Sequence, residues 1–501
     1  MFNNLRRNLA MTLSKSQYTR ALQCHKSLWL YKNRPELKDT ADTQRESLFE
    51  KGYQVGDLAK ELFANGVEVT FDSSDFNGMI EQTKRLIASG AEVIYEAAFK
   101  EDGIFIMVDI LVKNGDTWDI YEVKASTQTK TYYIDDISIQ WYVLSQTLKL
   151  NRAYIIHINN KYVRDGELNI EQLFTIDDVT EKVLEKQDNI AYQLREMEEV
   201  LQGDMPDIDI GSHCFDPHEC DFVSHCWQHI PKENSVFDIS YAMSKQWKLY
   251  YQGVLSIDNV PDDFHLGKNA KLQIAHHKSG KVKIDKEKIK EFLETIEHPI
   301  NFFDFETFQN AIPRFDKQRP YAQTPFQYSL HILHKDGTLE HKEFLGDENS
   351  DPRRPLAQQM LQDITPTGSI IAFNKSFEIT QIKNLAELFP DLKEELLALT
   401  ERFVDLAHPF QYKHYYHPNF KGRYSIKVVL PTLFPDDDEL DYKKLGSIQN
   451  GGDAMDTFAN LHLLKERSQL EAIKRDLLAY CRLDTLAMVR IWEKLHKMTE
   501  K

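Results

Sequence analysis

Ile104–Lys113, IFIMVDILVK, is apolar on both faces, the pattern of a strand covered on two sides, and its one interior break is Asp109. Asn114-Gly115 follows, a strong two-residue hairpin signal, and TWDIYEVK (117–124) reads as the return strand. With those two residues as the loop, Lys113 opposes Asp116 and Asp109 opposes Ile120. Opposed residues share a face, as do residues two apart on one strand, so Asp109, Ile120, Glu122 and Lys124 face one side. An odd-numbered loop would turn Asp109 to the other face.

A second strand opens at NFFDFETF (301–308), with Asp304 and Glu306 on one face and Phe303 and Phe305 on the other. Far downstream a helical period takes over. Leu477, Cys481, Asp484, Met488 and Ile491 form one stripe, and Tyr480 lies one turn from Asp484. Residues 231–297 are polar, with little period before the helix-like KIKEFLETIEH. No internal repeat or low-complexity tract occurs. Strands interleaved with helices predict an α/β protein. Two folded domains are expected, 11–230 and 298–501, with 231–297 as a linker or transition region and 1–10 as a flexible tail, Met11 offering an alternative start.

The 501 residues exceed one ordinary domain, and 42% hydrophobic content suffices for sizeable cores. No run of about 18 apolar residues suggests a membrane span, and MFNNLRRNLAMTLS lacks the apolar core of a secretory signal; a cytoplasmic protein without a membrane partner is expected. Sixty-one basic against 78 acidic residues leave a net charge of −17, so there is no chain-wide basic field, and contact with phosphates must come from local patches. One such patch is 406–435, which holds no Asp or Glu. There Lys413, Lys421, Arg423 and Lys427 interleave with Tyr412, Tyr415, Tyr416, Phe420 and Tyr424. Cations bind phosphates and aromatic faces stack bases, while Gly422 allows close backbone approach. The competing reading is an ordinary loop with buried aromatics, and His408, His414 and His417 read as hydrogen-bonding loop residues.

A carboxylate inside an apolar strand or stripe is costly unless paired or ligating. Asp109 with Glu122 can hold magnesium or manganese through oxygen, with Lys124 beside them to place a water or stabilise a transition state. Asp304, Glu306 and Asp484 present the same problem and admit the same answer. The plain alternatives are a salt-bridged Asp109 behind a surface Glu/Lys strand, and acids doing structural work around a ribonuclease-H-like scaffold. Of five cysteines, Cys214, Cys220 and Cys226 fall within thirteen residues and Cys24 lies far upstream. The Cys-x5-Cys-x5-Cys spacing is looser than that of structural zinc sites and suits an iron–sulfur cluster better. Zinc is the alternative, with His213, His218, His225 or His229 competing as ligands. Such a centre fastens the two ends of the first domain together. Cys481 reads as a small buried hydrophobe.

LSKSQYTRALQCHKSLWLY (13–31), Asp109, Glu122 and Lys124 together resemble the PD-(D/E)XK nucleases, in particular the CRISPR-associated iron–sulfur exonucleases and the RecB-like family. The resemblance implies a restriction-endonuclease-like domain, a 4Fe–4S cluster on Cys24, Cys214, Cys220 and Cys226, and a catalytic triad of Asp109, Glu122 and Lys124. Gln140 matches the glutamine that helps position substrate. Two positions depart from the pattern. Leu144 stands where a tyrosine is usual, and RESLFEKGYQVGDLAKELF lacks the usual histidine ligand, for which Glu50, Gln54 or Asp57 are candidates. Asp304, Glu306, Tyr480 and Asp484, in that order, resemble the tyrosine-bearing DEDD class of DnaQ-like exonucleases, a ribonuclease-H-like fold. Asn374, Phe377 and Glu378 match its middle motif with glutamate for the usual aspartate, and Asp405 matches a supporting aspartate. That resemblance implies that Asp304, Glu306, Glu378 and Asp484 hold two metal ions while Tyr480 orients the attacking water; from the acid-free stretch, Lys421, Arg423, Tyr424 and Lys427 are the candidate substrate contacts. A fusion of two nuclease domains is thus expected, an exonuclease on single-stranded DNA with RNA as the other candidate. The alternatives are one degenerate, strand-binding domain, or a non-enzymatic iron–sulfur or zinc interaction protein.

Overall fold

The computed structural model describes residues 13–40 and 43–500, the side chains of 43–49 apart; the expected N-terminal tail lies outside the described residues. It is a mixed α/β structure of two compact units, one of Met1–His229 with Ala311–Tyr321, the other of Ile230–Asn310 with Ala322–Lys501.

The first unit carries a seven-stranded sheet. Its strands are β1 (Leu13–Ser14), β2 (Val67–Glu68), β3 (Val93–Glu101), β4 (Ile104–Asn114), β5 (Thr117–Lys124), β6 (Leu150–Ile158) and β7 (Phe174–Asp178), in the order β2-β3-β4-β5-β6-β7, with β1 beside β4. β3, β4 and β5 form an antiparallel meander, and the helix Thr131–Ser145 then crosses over to bring β6 parallel to β5. β4 is covered on both faces, with Ile106, Val108 and Ile110 buried on one and Phe105 and Leu111 on the other.

The hairpin differs by one residue from the expected one. Asn114 pairs with Thr117 and Ile110 with Tyr121, so the loop is Gly115-Asp116. Asn114 stays in the strand, its amide donating to Asp119 Oδ2 at 3.0 Å, and Gly115 takes the left-handed position at φ +60°. The loop is still even, so the faces are as predicted, but one step beyond Ile110–Tyr121 Asp109 meets Glu122 rather than Ile120. At that point the strands part. β1 takes up the edge of β4 at Ile104 and Phe105, and Asp109 Oδ2 accepts the Val123 N–H at 2.7 Å.

Ala311–Tyr321 belongs to this first unit, which nothing in its sequence announces. Tyr321 donates its hydroxyl to the Ala125 carbonyl at 2.8 Å, and Arg164 donates to the Pro313 carbonyl at 2.9 Å.

The second unit is built on a five-stranded sheet. β9 (Ile300–Phe308), β10 (Thr324–Leu333), β11 (Leu339–Leu345), β12 (Ile370–Ala372) and β13 (Phe403–Asp405) run in the order β11-β10-β9-β12-β13. A small ribbon pairs β8 (Lys283–Ile284) with β14 (Tyr415–Tyr416). β9 is antiparallel to β10 and parallel to β12. Phe303 and Phe305 pack with Leu356, Met360 and Ile382 on one side. Phe302 packs on the other with Leu483, Met488 and Leu430, the side of the long helix Arg467–Thr499. Strand alternation therefore turns Asp304 and Glu306 toward that helix.

Residues 231–297 are not a bare linker. The helices Ser244–Tyr251, Lys268–Ser279 and Lys286–Leu293 occur there, and Val236, Ile239, Leu249, Ile257, Ala270 and Ile274 form a small core. The first two helices, of eight and twelve residues, are too short to leave a visible hydrophobic period, and the third coincides with the helix-like KIKEFLETIEH. Among the described residues, no helix is long and apolar enough to cross a membrane.

Candidate functional site

In the first unit β1 leads directly into the helix Lys15–Gln23, so the parting of β4 and β5 receives Lys15. Glu122 is 2% exposed, and its two oxygens are fully engaged. Oε1 accepts Lys15 Nζ and Lys124 Nζ, each at 2.7 Å, and Oε2 accepts Gln140 Nε2 at 2.6 Å. Asp136 joins the same lysines, at 3.4 Å from Lys15 and in a short contact with Lys124. Burial alone would raise the Glu122 carboxyl, yet the Lys124 and Lys15 ammoniums hold it well below the usual range. Asp109 has no such cation in contact, and burial followed by repulsion from Glu122 pushes it up to about 7.

Glu96 on β3 is a further acid at this place, at φ +54° where the β3–β4 ladder skips a pair. Lys60 from the helix Thr43–Lys60 lies 3.5 Å from it. That is the helix expected to supply a ligand in place of the missing histidine; Glu50, Gln54 and Asp57 on it are exposed, and its contribution to the site is a lysine. Leu144 is buried in the core.

Lys15, Asp136, Lys60 and Glu96 escaped the reading of the sequence. Asp136 was findable, four residues before Gln140 on one helix face, and Glu96 interrupts an apolar strand just as Asp109 does. Lys15 reaches its partner across 107 positions, and no local signal exists for that.

Cys24, Cys214, Cys220 and Cys226 line a single small cavity of the same unit. Cys24 stands at the N-cap of the helix His25–Asn33, where the backbone amides of Ser27 and Lys26 work against the burial that raises its thiol. The Gly211 N–H meets Cys214 Sγ at 3.5 Å. Helix-terminal amides favour a thiolate over a thiol, the form a metal needs. Burial otherwise raises the Cys24 thiol and pushes Cys226 up to about 11. Four thiols and His213, whose buried Nε2 has no partner, line this cavity, a donor set that zinc and an iron–sulfur cluster both use.

In the second unit Asp304, Glu306 and Cys481 each offer a ligand atom within 4.8 Å of the others. Burial, then repulsion from Asp484, raises both carboxyls on β9 well above their ordinary values, with Glu378 adding to each. Asp484 accepts the Tyr442 hydroxyl and lies 3.4 Å from Lys427. Lys427 also donates to the Tyr480 hydroxyl at 2.9 Å and sits over the Tyr442 and Tyr480 rings. The first turn of the helix Gly451–Asn460 comes close as well: a Cβ at Gly451 would stand 3.8 Å from Glu306 and 4.0 Å from the Tyr480 hydroxyl.

Glu378, in the first turn of the helix Ser376–Leu388, is buried with no partner for Oε2. Burial first, and then Asp405, pushes its carboxyl up to about 8. Asp405 accepts the N–H groups of Asn374 and Ala407, each at 2.9 Å, which holds Asn374 at φ +76° and sets the start of that helix. Asp304, Glu306 and Cys481 thus form one group, Asp484 joins it beside Lys427, and Glu378 adds repulsion to the two acids of β9. Each disfavours the charge of its neighbours, and a divalent cation is the natural counterweight.

Cys481 is buried as expected, with its sulfur also within 4.8 Å of ligand oxygens of Asp304 and Glu306, and Tyr442 is an addition to the expected set. The acid-free stretch is also corrected in part. Tyr415, Tyr416 and Phe420 are core residues and cannot stack bases, and Lys413 is buried against the Tyr416 and Tyr424 rings. Gly422 is required by packing, since a Cβ would fall 2.2 Å from Ser240 Oγ. Lys421 pairs with Glu233 at 3.7 Å. Arg423 and Tyr424 line an open cleft of about 600 Å³ with Asn374, Phe373 and Tyr241, and Lys427 belongs to the acid group instead. His408 stacks on Phe292, and His417 accepts the Asn419 N–H at 3.1 Å.

Residues 301–425 match the model of a family described as a domain of unknown function, DUF2779. That stretch carries Asp304, Glu306, Asn374, Glu378 and Asp405 and stops before Lys427, Tyr442, Tyr480 and Asp484. The chain is also similar to Uncharacterized protein UU173 of Ureaplasma parvum serovar 3, at 30% identity over 223 residues, covering 40% of this chain and 31% of that protein. The chain thus spans about a third of the length of the curated relative it matches.

Proposed function

We propose that this chain is a metal-dependent nuclease whose main hydrolytic site is the acid group of the second unit. The observation that carries the reading is the gathering of half-buried Asp304 with buried Glu306, Asp484 and Glu378, where Lys427, in contact with Asp484, is the cation among the described residues that offsets them. Asp304, Glu306, Glu378 and Asp484 would hold magnesium or manganese, which when bound activates water and neutralises charge on a scissile phosphate. Tyr480, fixed by Lys427, keeps its hydroxyl at the acids, where it can orient a water. The cleft at Arg423 and Tyr424 offers a cation and a ring to a single strand. The hairpin-plus-crossover sheets of both units support the assignment to a PD-(D/E)XK-like fold followed by a DnaQ-like, ribonuclease-H-like fold. Single-stranded DNA is the proposed substrate, RNA the alternative, and the cytoplasm the proposed location. Cys24, Cys214, Cys220 and Cys226 would hold a 4Fe–4S cluster as a fastener of the first unit.

A second reading is favoured by one observation: Glu122 has no free oxygen, because Lys15, Lys124 and Gln140 engage both. On that reading the first unit binds the strand and only the second unit cuts it. Degradation of end-labelled DNA and RNA strands with manganese, by wild type, Glu122→Ala and Asp304→Ala, separates the two. Loss in Asp304→Ala alone assigns cleavage to the second unit, and loss of part of the activity in each assigns it to both. Absence of any metal-dependent cleavage by the wild type refutes the nuclease.

A further inference from the structure

Cys481 lies on the buried stripe of the helix Arg467–Thr499 and is fully buried. Packing alone would account for a small side chain there, but not for a thiol aimed at two carboxylates. Its sulfur is 3.8 Å from the Asp304 carbonyl and within 4.8 Å of ligand oxygens of both Asp304 and Glu306. Two other polar atoms at this place have no partner. Glu378 Oε2 is one, on a side chain 3% exposed. The other is Gln327 Oε1, on a fully buried side chain directly opposite Glu306 on β10. The Gln327 amide N–H is held by the Leu477 carbonyl at 2.8 Å, one turn before Cys481, which keeps its oxygen between strand and helix. Buried oxygens without donors, next to a thiol, are what a soft cation with mixed ligands would satisfy.

We propose that Cys481 is a metal ligand, forming with Asp304 and Glu306 a mixed sulfur–oxygen site for a thiophilic divalent cation of the zinc and cadmium class. The inference rests on the reading of this acid group as a metal site, but not on phosphodiester hydrolysis. Ligation breaks the Cys481 S–H bond and forms a metal–sulfur bond; the proton goes to solvent and no electron is transferred. Oxygen-only sites hold magnesium and manganese without a preference for soft ions, whereas a thiolate shifts the order toward zinc and cadmium. The site would therefore take up zinc in preference to magnesium, making soft cations its regulators.

The test uses the full chain with its cysteine cluster, as wild type, Cys481→Ser and Cys481→Ala, after chelation of exchangeable metal. Cadmium is titrated in, and both affinity by calorimetry and the ultraviolet sulfur-to-cadmium charge-transfer band are read. Subtracting the variant spectra removes the contribution of the other four cysteines. Wild type should show one additional sulfur-bound cadmium, and the variants should bind cadmium at least about tenfold more weakly with manganese affinity changed by less than about threefold. An unchanged band and unchanged cadmium affinity in both variants would overturn the proposal. If neither variant folds, cadmium NMR of the wild type decides: a resonance from a site with one sulfur and several oxygens supports it, and only all-sulfur signals refute it. A Cys481-dependent band in a protein that cuts no strand would defeat the nuclease reading and leave the thiolate ligand standing. Manganese-dependent cleavage with Cys481-independent cadmium binding would do the reverse.

Discussion

Glu122 and Glu306 are both buried glutamates on central strands, and they are in opposite electrostatic states. Glu122 receives two ammoniums and an amide, and its charge is held. Glu306 faces Asp304, Asp484 and Glu378, with Lys427 the only cation among its influences, and its proton is held instead. Burial penalises a bare carboxylate in either case; what differs is the charge of the neighbours. The first group satisfies its central glutamate with ion pairs and leaves only Asp109 without a cation in contact, whereas the second is incomplete as protein alone and has the composition of a cation site.

The largest effect should come from removing a central acid of the incomplete group. Asp304→Ala should cut metal-dependent strand cleavage at least about a hundredfold, whereas Glu122→Ala should cut it less; equal losses in end-labelled strand assays would break the contrast. Next comes the centre that fastens the first unit. Cys220→Ala should lose iron and color on anaerobic purification and expose the first unit to proteolysis. A colourless wild type with stoichiometric zinc would replace the cluster by zinc and leave the fastening intact.

Neutral substitutions should then act on stability with opposite signs. Glu122→Gln leaves Lys15 and Lys124 facing a neutral partner and should destabilise by about 2–3 kcal/mol. Asp304→Asn removes repulsion and should stabilise the metal-free protein by about 1–2 kcal/mol, both read by chelator-treated denaturation. Stabilisation by both, or destabilisation by both, would show that the neighbours do not decide.

Glu378 supplies the pH dependence. Its folded carboxyl titrates near 8 against an ordinary 4.5, so between those values the folded state holds a proton that the unfolded state has lost. Its contribution to stability is therefore full below about pH 4.5 and lost as pH rises to about 8. Chelator-treated protein should show this slope, and Glu378→Gln or added manganese should flatten it. A slope unchanged by both would mean that Glu378 is not part of the group.

The smallest effect should be at Lys15. Lys15→Met should free one Glu122 contact and raise manganese affinity of the first unit by about threefold to tenfold, measured in an Asp304→Ala background. No change would mark that unit as a binding module.

Much of this contrast was open to inspection along the chain. A period of two is enough to say that Asp304 and Glu306 share a face, and an even loop that Asp109 and Glu122 do. A period of 3.6 is enough to put Cys481 and Asp484 on one stripe. These are properties of neighbouring residues on one element, and element geometry settles them wherever the element packs. Hairpin position was off by one because Asn114 and Gly115 both suit a turn, and ties to Thr117 and Asp119 keep the asparagine in the strand. The acid-free stretch misled because a tyrosine in a loop looks the same whether it stacks a base or fills a core.

Local sequence thus determined which faces carry acids, that the chain is α/β, and that four cysteines stand apart from the fifth. Tertiary structure alone decided which acids are balanced. Lys15 reaches Glu122 across 107 positions, and Lys427 and Tyr442 reach Asp484 across 57 and 42. The same packing turns the Cys481 thiol onto Asp304, 177 positions away. Spacing along a strand or helix fixes direction, but the charge a carboxylate meets depends on elements brought beside it by the closing of long loops, and no periodicity records that.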